Sequence, residues 1–310
     1  MSEKRKVLLA LDRSEQSIAA IQYLAEVLSP VKNIITMFCV KADIPETFLD
    51  QDDYANDKSF KHFIDEWSDL VSLKVDKFIQ KGAEIFFEAG FDRSSVETVI
   101  ETRRTGYARD ILEKSRLGYD ALVIGRKGFG LSNTMMGSIA SKLVESAHHI
   151  PIAVIGGRPE TNNCLIAFDK SQGALKGVEC VSSMFNMEKI QFSLCHIIRP
   201  LNIPAPGITP FFKKSQENDW VDANTRTIIP AMMDAKRMLA RKGVHGFRFN
   251  TIIVKEKSSR ADGLYSEMKN HDAGTIVMGR HGLSNVEEFS IGRVTRKILH
   301  MAADSAVWVI

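Results

Sequence analysis

Cysteine is scarce. Four stand in 310 residues (Cys39, Cys164, Cys180 and Cys195), with no CxxC pair and no His/Cys cluster. In a chain long enough to build real cores, this argues against a disulfide scaffold or a zinc ribbon. An excess of one charge is also missing: 41 Lys and Arg against 38 Asp and Glu leave a net charge of only +3. Nucleic-acid binding normally shows as a basic patch or a domain pI above about 9, so no such partner is expected. Long apolar runs are lacking too. The opening MSEKRKVLLALDRS has an apolar run of five residues, Val7 to Leu11, before Asp12. A signal peptide takes about 7 to 15 apolar residues and a membrane span about 20. Neither is expected here, no membrane partner is expected, and the default location is the cytoplasm.

What is present is a repeat. VLLALDRSEQSIAAIQYLAEVL near the start is matched beyond the middle by CLIAFDKSQGALKGVECVSSMF, each an apolar run, then Asp-basic-Ser, then a helical pattern. The stretch DALVIGRKGFGLSNTMMGSIASKLVESAHHIPIAVIG returns at the end as GTIVMGRHGLSNVEEFSIGRVTRKILHMAADSAVWVI. Asp12 to Asp169 and Val40 to Ile197 are both 157 residues; Gly125 to Gly279 and Gly128 to Gly282 are both 154; Gly137 to Gly292 is 155. Register held over such separated anchors means duplication. The join falls in the turn-rich GRPETNN, Gly157 to Asn163, which gives domains of 1–158 and 159–310.

Within each half the elements alternate. Short apolar runs at Lys6–Ala10, Ile34–Val40, Glu97–Glu101, Ala121–Ile124 and Ile152–Ile155 read as strands. Helical spacing follows at Ile18 to Leu28, Phe60 to Phe78, Ala108 to Ser115 and Ser138 to Ala147. The second half copies the order, with strands near Leu165, Leu194, Ile252, Ile276 and Val307. Strict alternation predicts an α/β fold: two domains, each a parallel sheet with helices on both faces. The loops at 41–59 and 199–215 repeat least and are read as surface connections, or else as lid or partner-docking segments.

Ligands of such sheets bind outside the carboxyl ends of the strands. Two features fall there. Asp12 and Asp169 follow the first strands, where a carboxylate either accepts from an amine or ribose hydroxyl or caps the next helix. Ser14 and Ser171 are the other cap candidates, leaving the Asp free to face the cleft. The second feature is Gly125-Arg-Lys-Gly128, then Gly137-Ser138 opening a helix. Glycines let the backbone approach a phosphate, and helix N-terminal amides favour an anion. Ser138 adds a hydroxyl, and Arg126 and Lys127 add positive charge.

These residues resemble the universal stress protein family, whose signature G-x2-G-x9-G-[ST] follows the fourth strand. The resemblance spans nearly the whole chain twice. It implies two tandem flavodoxin-like (Rossmann-like) domains, each a five-stranded parallel sheet ordered 3-2-1-4-5. It also implies binding of ATP, with or without Mg²⁺, in members that carry the glycines, and a role in stress response or signalling. By position, the first site would comprise Ala10, Asp12, Val40, Ile124, Gly125, Gly128, Gly137, Ser138 and Ile139. The second would comprise Ala167, Asp169, Ile197, Met278, Gly279, Gly282, Gly292, Arg293 and Val294. The base lies near the Asp and Val/Ile, the phosphates on the glycine loop. Family members dimerise through their last strands, so Ile152–Ile155 and Val307–Ile310 are expected to pair as an internal pseudo-dimer, with a further homodimer also open.

Each half departs from the signature. The first has eight residues, Phe129 to Met136, where the pattern has nine, but keeps Ser138. The second has nine, Leu283 to Ile291, but Arg293 replaces the hydroxyl residue. Arg293 either pairs with phosphate bidentately, swings outward, or fills the phosphate position itself. The alternative reading is therefore a scaffold with degenerate sites that works by protein contact. His148-His149 suits a helix end rather than a metal. His281 is a loop residue or a phosphate contact. Cys39 and His196, at equivalent places, are expected as packing residues. No Ser-His-Asp order, HExxH or GxxxxGK[ST] is present, so no catalytic residue and no metal ligand is assigned, and at most slow ATP hydrolysis is expected.

Overall fold

A computed structural model describes residues 3–42, 58–128, 136–202, 210–242, 248–255, 257–283 and 290–310. The first half runs β1 (Arg5–Leu11), α1 (Glu15–Val27), β2 (Asn33–Lys41), α2 (Lys58–Glu88), β3 (Val96–Thr102), α3 (Tyr107–Ser115), β4 (Ala121–Gly125), α4 (Ser138–Ser146) and β5 (Ile152–Ile155). The second runs β6 (Asn163–Ala167), α5 (Gln172–Met184), β7 (Gln191–Ile197), α6 (Lys214–Arg241), β8 (Phe249–Val254), α7 (Arg260–Asn270), β9 (Thr275–Met278), α8 (Arg293–Met301) and β10 (Ala306–Val309). All ten expected strands are present. Much of the two least-repeated loops (43–57 and 203–209), the span 129–135 between the glycines, and the Phe60 side chain lie outside the described residues.

The strands form one ten-stranded sheet ordered β3-β2-β1-β4-β5-β10-β9-β6-β7-β8. Each half is the expected 3-2-1-4-5 arrangement, and every pairing is parallel except the central one. There β5 and β10 run antiparallel, with Ala153 opposite Trp308 and Val154 opposite Val307. Two short strands that would otherwise end their sheets as bare edges satisfy each other. The expected internal pairing is the seam of the molecule.

Alternation along each strand feeds two cores. Val7, Leu9 and Leu11 join one cluster with α1, α2, α5 and α6, while Leu8 and Ala10 join another with α3, α4, α7 and α8. The seam is reinforced on the first face. Asn33 Nδ2 donates to Ser29 O and to Met184 O, both at 2.8 Å, and Leu28 bridges Phe185.

One element outgrows its layer. At about 1.5 Å per residue α2 is roughly 46 Å long, whereas the nine residues of β2 span about 30 Å. Lys41 Nζ donates to Ser72 Oγ at 3.2 Å, which marks where the sheet ends beneath the helix. Phe63 and Leu70, apolar positions in the sequence pattern, lie beyond that point and are 70% and 51% exposed.

Candidate functional site

In each half the strand order reverses between the first and fourth strands, which opens a crevice at their carboxyl ends. Asp12 and Asp169 stand on one lip, the glycine loops on the other. Asp12 Oδ1 accepts from Ser14 N (3.0 Å), Ser14 Oγ (2.6 Å) and Ser17 Oγ (2.7 Å). Ser14 Oγ in turn accepts from Ser17 N at 3.2 Å and caps α1. The serine caps, and the second carboxylate oxygen is turned toward the second glycine of the loop. A Cβ built on Gly128 would stand 2.7 Å from Asp12 Oδ2, and one on Gly282 would stand 3.0 Å from Asp169 Oδ2. The turn is held in a conformation that L residues rarely adopt. Arg13 and Lys170, each following its Asp, have φ of 67° and 60°. Such strain persists only where the surroundings enforce it, and it gathers at functional sites.

The second half is a reduced copy. Asp169 Oδ1 accepts from Ser171 N at 3.0 Å, and Ala174 occupies the place of Ser17. Ser171 caps α5 through Ala174 N at 3.2 Å. Where the first half has Gln16 lying over Gly125, the second has Gly173, and a Cβ there would come 3.0 Å from the Cα of Gly279.

The helices behind the glycine loops differ from α1 and α5 in the way that matters to an anion. Among the described residues no side chain caps α4 at Gly137 or α8 at Gly292. A helix start of this kind has first-turn amides without intrahelical partners and a positive dipole end, which suit an anion. Gly137 N donates to Arg126 O at 2.8 Å and Gly292 N to Arg280 O at 2.9 Å, so the third glycine is anchored alike in both halves. Ser138 and Arg293 are exposed at the helix starts, and Ile139 and Val294 follow them. Ala10, Ile124 and Met278 are buried strand ends, while Val40 and Ala167 are half-buried and Ile197 is buried. The residues expected to contact nucleotide lie on the strand ends, glycine loops and helix starts around the two crevices.

Two expectations change. Arg126 does not serve the phosphate loop: it is 1% exposed and turns into the seam, where its Nη1 donates to Leu299 O. His196 is more than packing. It is half-buried, its Nδ1 donates to Phe168 O at 2.7 Å beside Asp169, and burial holds its imidazole below its ordinary pKa. Cys39 at the equivalent place is buried, its thiol raised to about 11 by burial. His149 meets Ser115 Oγ at 3.0 Å. The sequence reading overlooked Ser17, Gly173 and the strained Arg13 and Lys170. The repeated Asp-basic-Ser was the available signal for that last pair. Among the described residues, no three His, Cys, Asp or Glu side chains converge as metal ligands, and no helix is long and apolar enough to cross a membrane.

The universal stress protein family model matches residues 4–156 and again 160–310. Among solved structures, a universal stress protein from Archaeoglobus fulgidus DSM 4304 is similar at a TM-score of 0.61 and 16% identity, covering 98% of this chain and 97% of that one. A functionally unknown protein from Pseudomonas aeruginosa PAO1 gives 0.55 and 15%, covering 99% and 92%. At these identities the likeness is one of fold. Comparison with curated proteins finds no match.

Proposed function

The chain belongs to the universal stress protein family as a tandem two-domain member, and from that premise we propose that it binds ATP or a related adenine nucleotide in at least one half. Its role would be that of a stress-response or signalling switch in the cytoplasm, a location that suits four buried, unpaired cysteines. One observation carries the nucleotide reading. In both halves a carboxylate oxygen stands where a side chain on the second glycine of the loop would meet it, and among the described residues no side chain caps the helix start that follows.

The fit follows from those parts. A side chain at Gly128 or Gly282 would crowd the Asp, so glycine there keeps the carboxylate and the loop backbone close together. Asp12 and Asp169 have an oxygen turned toward that glycine, able to accept from a ribose hydroxyl or base amine. Val40, Ala10, Ile197 and Ala167 offer apolar surface to a base. The amides opening α4 and α8 suit phosphate oxygens. Bound ATP with Mg²⁺ would supply several charges that either hold or release the loops. Among the described residues none is placed to activate water, so binding rather than turnover is the proposed activity.

A scaffold without ligand remains the second reading, favoured by Arg293 in place of the hydroxyl residue. Native mass spectrometry of gently purified protein separates the two. ATP titration with Mg²⁺ of the wild type, Gly128→Glu and Gly282→Glu should show adenine nucleotide lost selectively in one variant. No nucleotide and no binding at millimolar ATP would leave the scaffold.

A further inference from the structure

The residue after the first glycine of each loop is a buried arginine, 1% exposed at Arg126 and 7% at Arg280. Each leaves its own half. Arg126 Nη1 donates to Leu299 O, in the last turn of α8. Arg280 Nη1 donates to Val144 O at 2.6 Å, and its Nη2 donates to Ala147 O at 2.7 Å, at the end of α4. Helix C-terminal carbonyls lack intrahelical partners and attract cations, which accounts for the placement.

The two helices so gripped are the ones whose opposite ends begin at the candidate sites. α4 starts at Gly137 of the first site and is held at its far end by the loop of the second. α8 starts at Gly292 of the second site and is held by the loop of the first. The same arginine also anchors its own site through the backbone. Arg126 N donates to Ile155 O at 2.7 Å and Arg280 N to Ile310 O at 2.7 Å. Their carbonyls accept from Gly137 N and Gly292 N. One residue therefore ties its own helix start to the other half's helix end.

We infer that Arg126 and Arg280 are positioning residues that couple the two candidate sites, so that an anion seated on one glycine loop changes the affinity of the other. This rests on the nucleotide reading above. A nine-residue helix is a rod of about 13 Å, short and stiff enough to carry a shift from one end to the other. Linkage makes the coupling reciprocal, the same factor in both directions. The grips differ in strength. Among the described residues Arg126 Nε and Nη2 have no hydrogen-bond partner, while both terminal nitrogens of Arg280 are used. By the repeat, the bond missing from Arg126 would run to Ala302 O. Lysine should therefore replace Arg126, with its one bond, better than Arg280, with two.

Hydrogen exchange read by mass spectrometry, with bound nucleotide counted by native mass, tests this. In a Gly282→Glu chain, ATP with Mg²⁺ adds the mass of one nucleotide and changes exchange at residues 298–302, in the other half, several-fold. Adding Arg126→Met keeps the mass gain and abolishes the distant change; Arg126→Lys restores it. The mirror pair, Gly128→Glu with Arg280→Met read at 143–147, covers a chain whose second half alone binds. A mass gain with no distant change, or with the same change after the Met substitution, overturns the coupling and leaves the nucleotide reading intact. No mass gain in the wild type removes the nucleotide reading, and the ligand-free chains then decide the rest. Arg126→Met must speed exchange at 298–302 and Arg280→Met at 143–147. Loosening confined to the substituted half overturns the clasp.

Discussion

Trp308 Nε1 donates to the Tyr23 hydroxyl at 2.9 Å, joining the last strand of the second half to the first helix of the first. The same hydroxyl lies 3.0 Å from Thr275 Oγ1, and burial pushes its pKa well above the ordinary tyrosine value. Phe185 packs edge-on to Trp308 at 5.1 Å between ring centroids. The Tyr23 hydroxyl thus joins Trp308 and Thr275 of the second half inside an apolar core common to both halves.

Tyr23→Phe removes that contact and leaves the Trp308 donor and the Thr275 hydroxyl buried without it. Unsatisfied buried groups cost about 1–3 kcal/mol each. Urea unfolding should show a loss in this range, with both halves still melting in a single transition. Two separated transitions in the wild type would mean that the halves fold independently despite the seam.

Gly128→Ala puts a methyl carbon 2.7 Å from Asp12 Oδ2, closer than real contacts allow, so the Asp or the loop must move. Affinity of the first site for ATP should fall roughly tenfold, about 1.4 kcal/mol. Gly282→Ala, at 3.0 Å, should cost its site less. Calorimetric titration measures both. A large drop in melting temperature with unchanged affinity would make the glycines structural.

Ser171→Ala deletes one cap bond and should cost about 1 kcal/mol. Ser14→Ala should cost more, since its hydroxyl caps α1 and also donates to Asp12 at 2.6 Å. Equal losses in thermal unfolding would show that the Asp12 contact adds nothing.

Gly274 has no room for a side chain: a Cβ would collide with the backbone of Glu160 in the linker between the halves. Gly274→Ala should destabilise by about 1–3 kcal/mol, as overpacking does. Chemical denaturation measures it, and a neutral result would show that the linker can lift away.

Burial lowers the pKa of His196, with Lys170 and Arg260 acting the same way and Asp169 and the Phe168 carbonyl opposing. The folded chain therefore binds fewer protons than the unfolded one at mildly acid pH. Stability is full above the ordinary value of 6.5 and declines as pH falls from there toward the folded pKa, then levels off. His148 and His149 are shifted in the same direction. Melting temperature should drop between pH 7 and 5.5, and His196→Asn should flatten the slope. An unchanged slope would assign the dependence to the other histidines.

The crevices were legible because their parts are local and repeated. Asp-basic-Ser fixes a strand end, a strained residue and a cap within three positions, and spaced glycines before a helix open an anion site. The elements were legible for the same reason, since alternating apolar runs commit the backbone before any distant contact forms. Arg126 was misread for the opposite reason. Next to a glycine loop it looks like a phosphate cation, and only the docking of the halves supplies the carbonyl it reaches. The unlike surroundings of Cys39 and His196 also depend on which neighbours meet them.

The sequence by itself determined the duplication, the order of elements in each half, and the placing of the Asp-basic-Ser turn and the spaced glycines at the strand ends. Hydrophobic period, capping chemistry and glycine spacing act over a few residues and do not depend on the rest of the chain. Only the tertiary structure decided the register of the shared sheet, Ala153 opposite Trp308, and that each glycine loop grips a helix of the other half. An edge strand's backbone groups and a helix's terminal carbonyls are left unpaired locally whatever the sequence. Their partners exist only once β5 and β10 lie side by side.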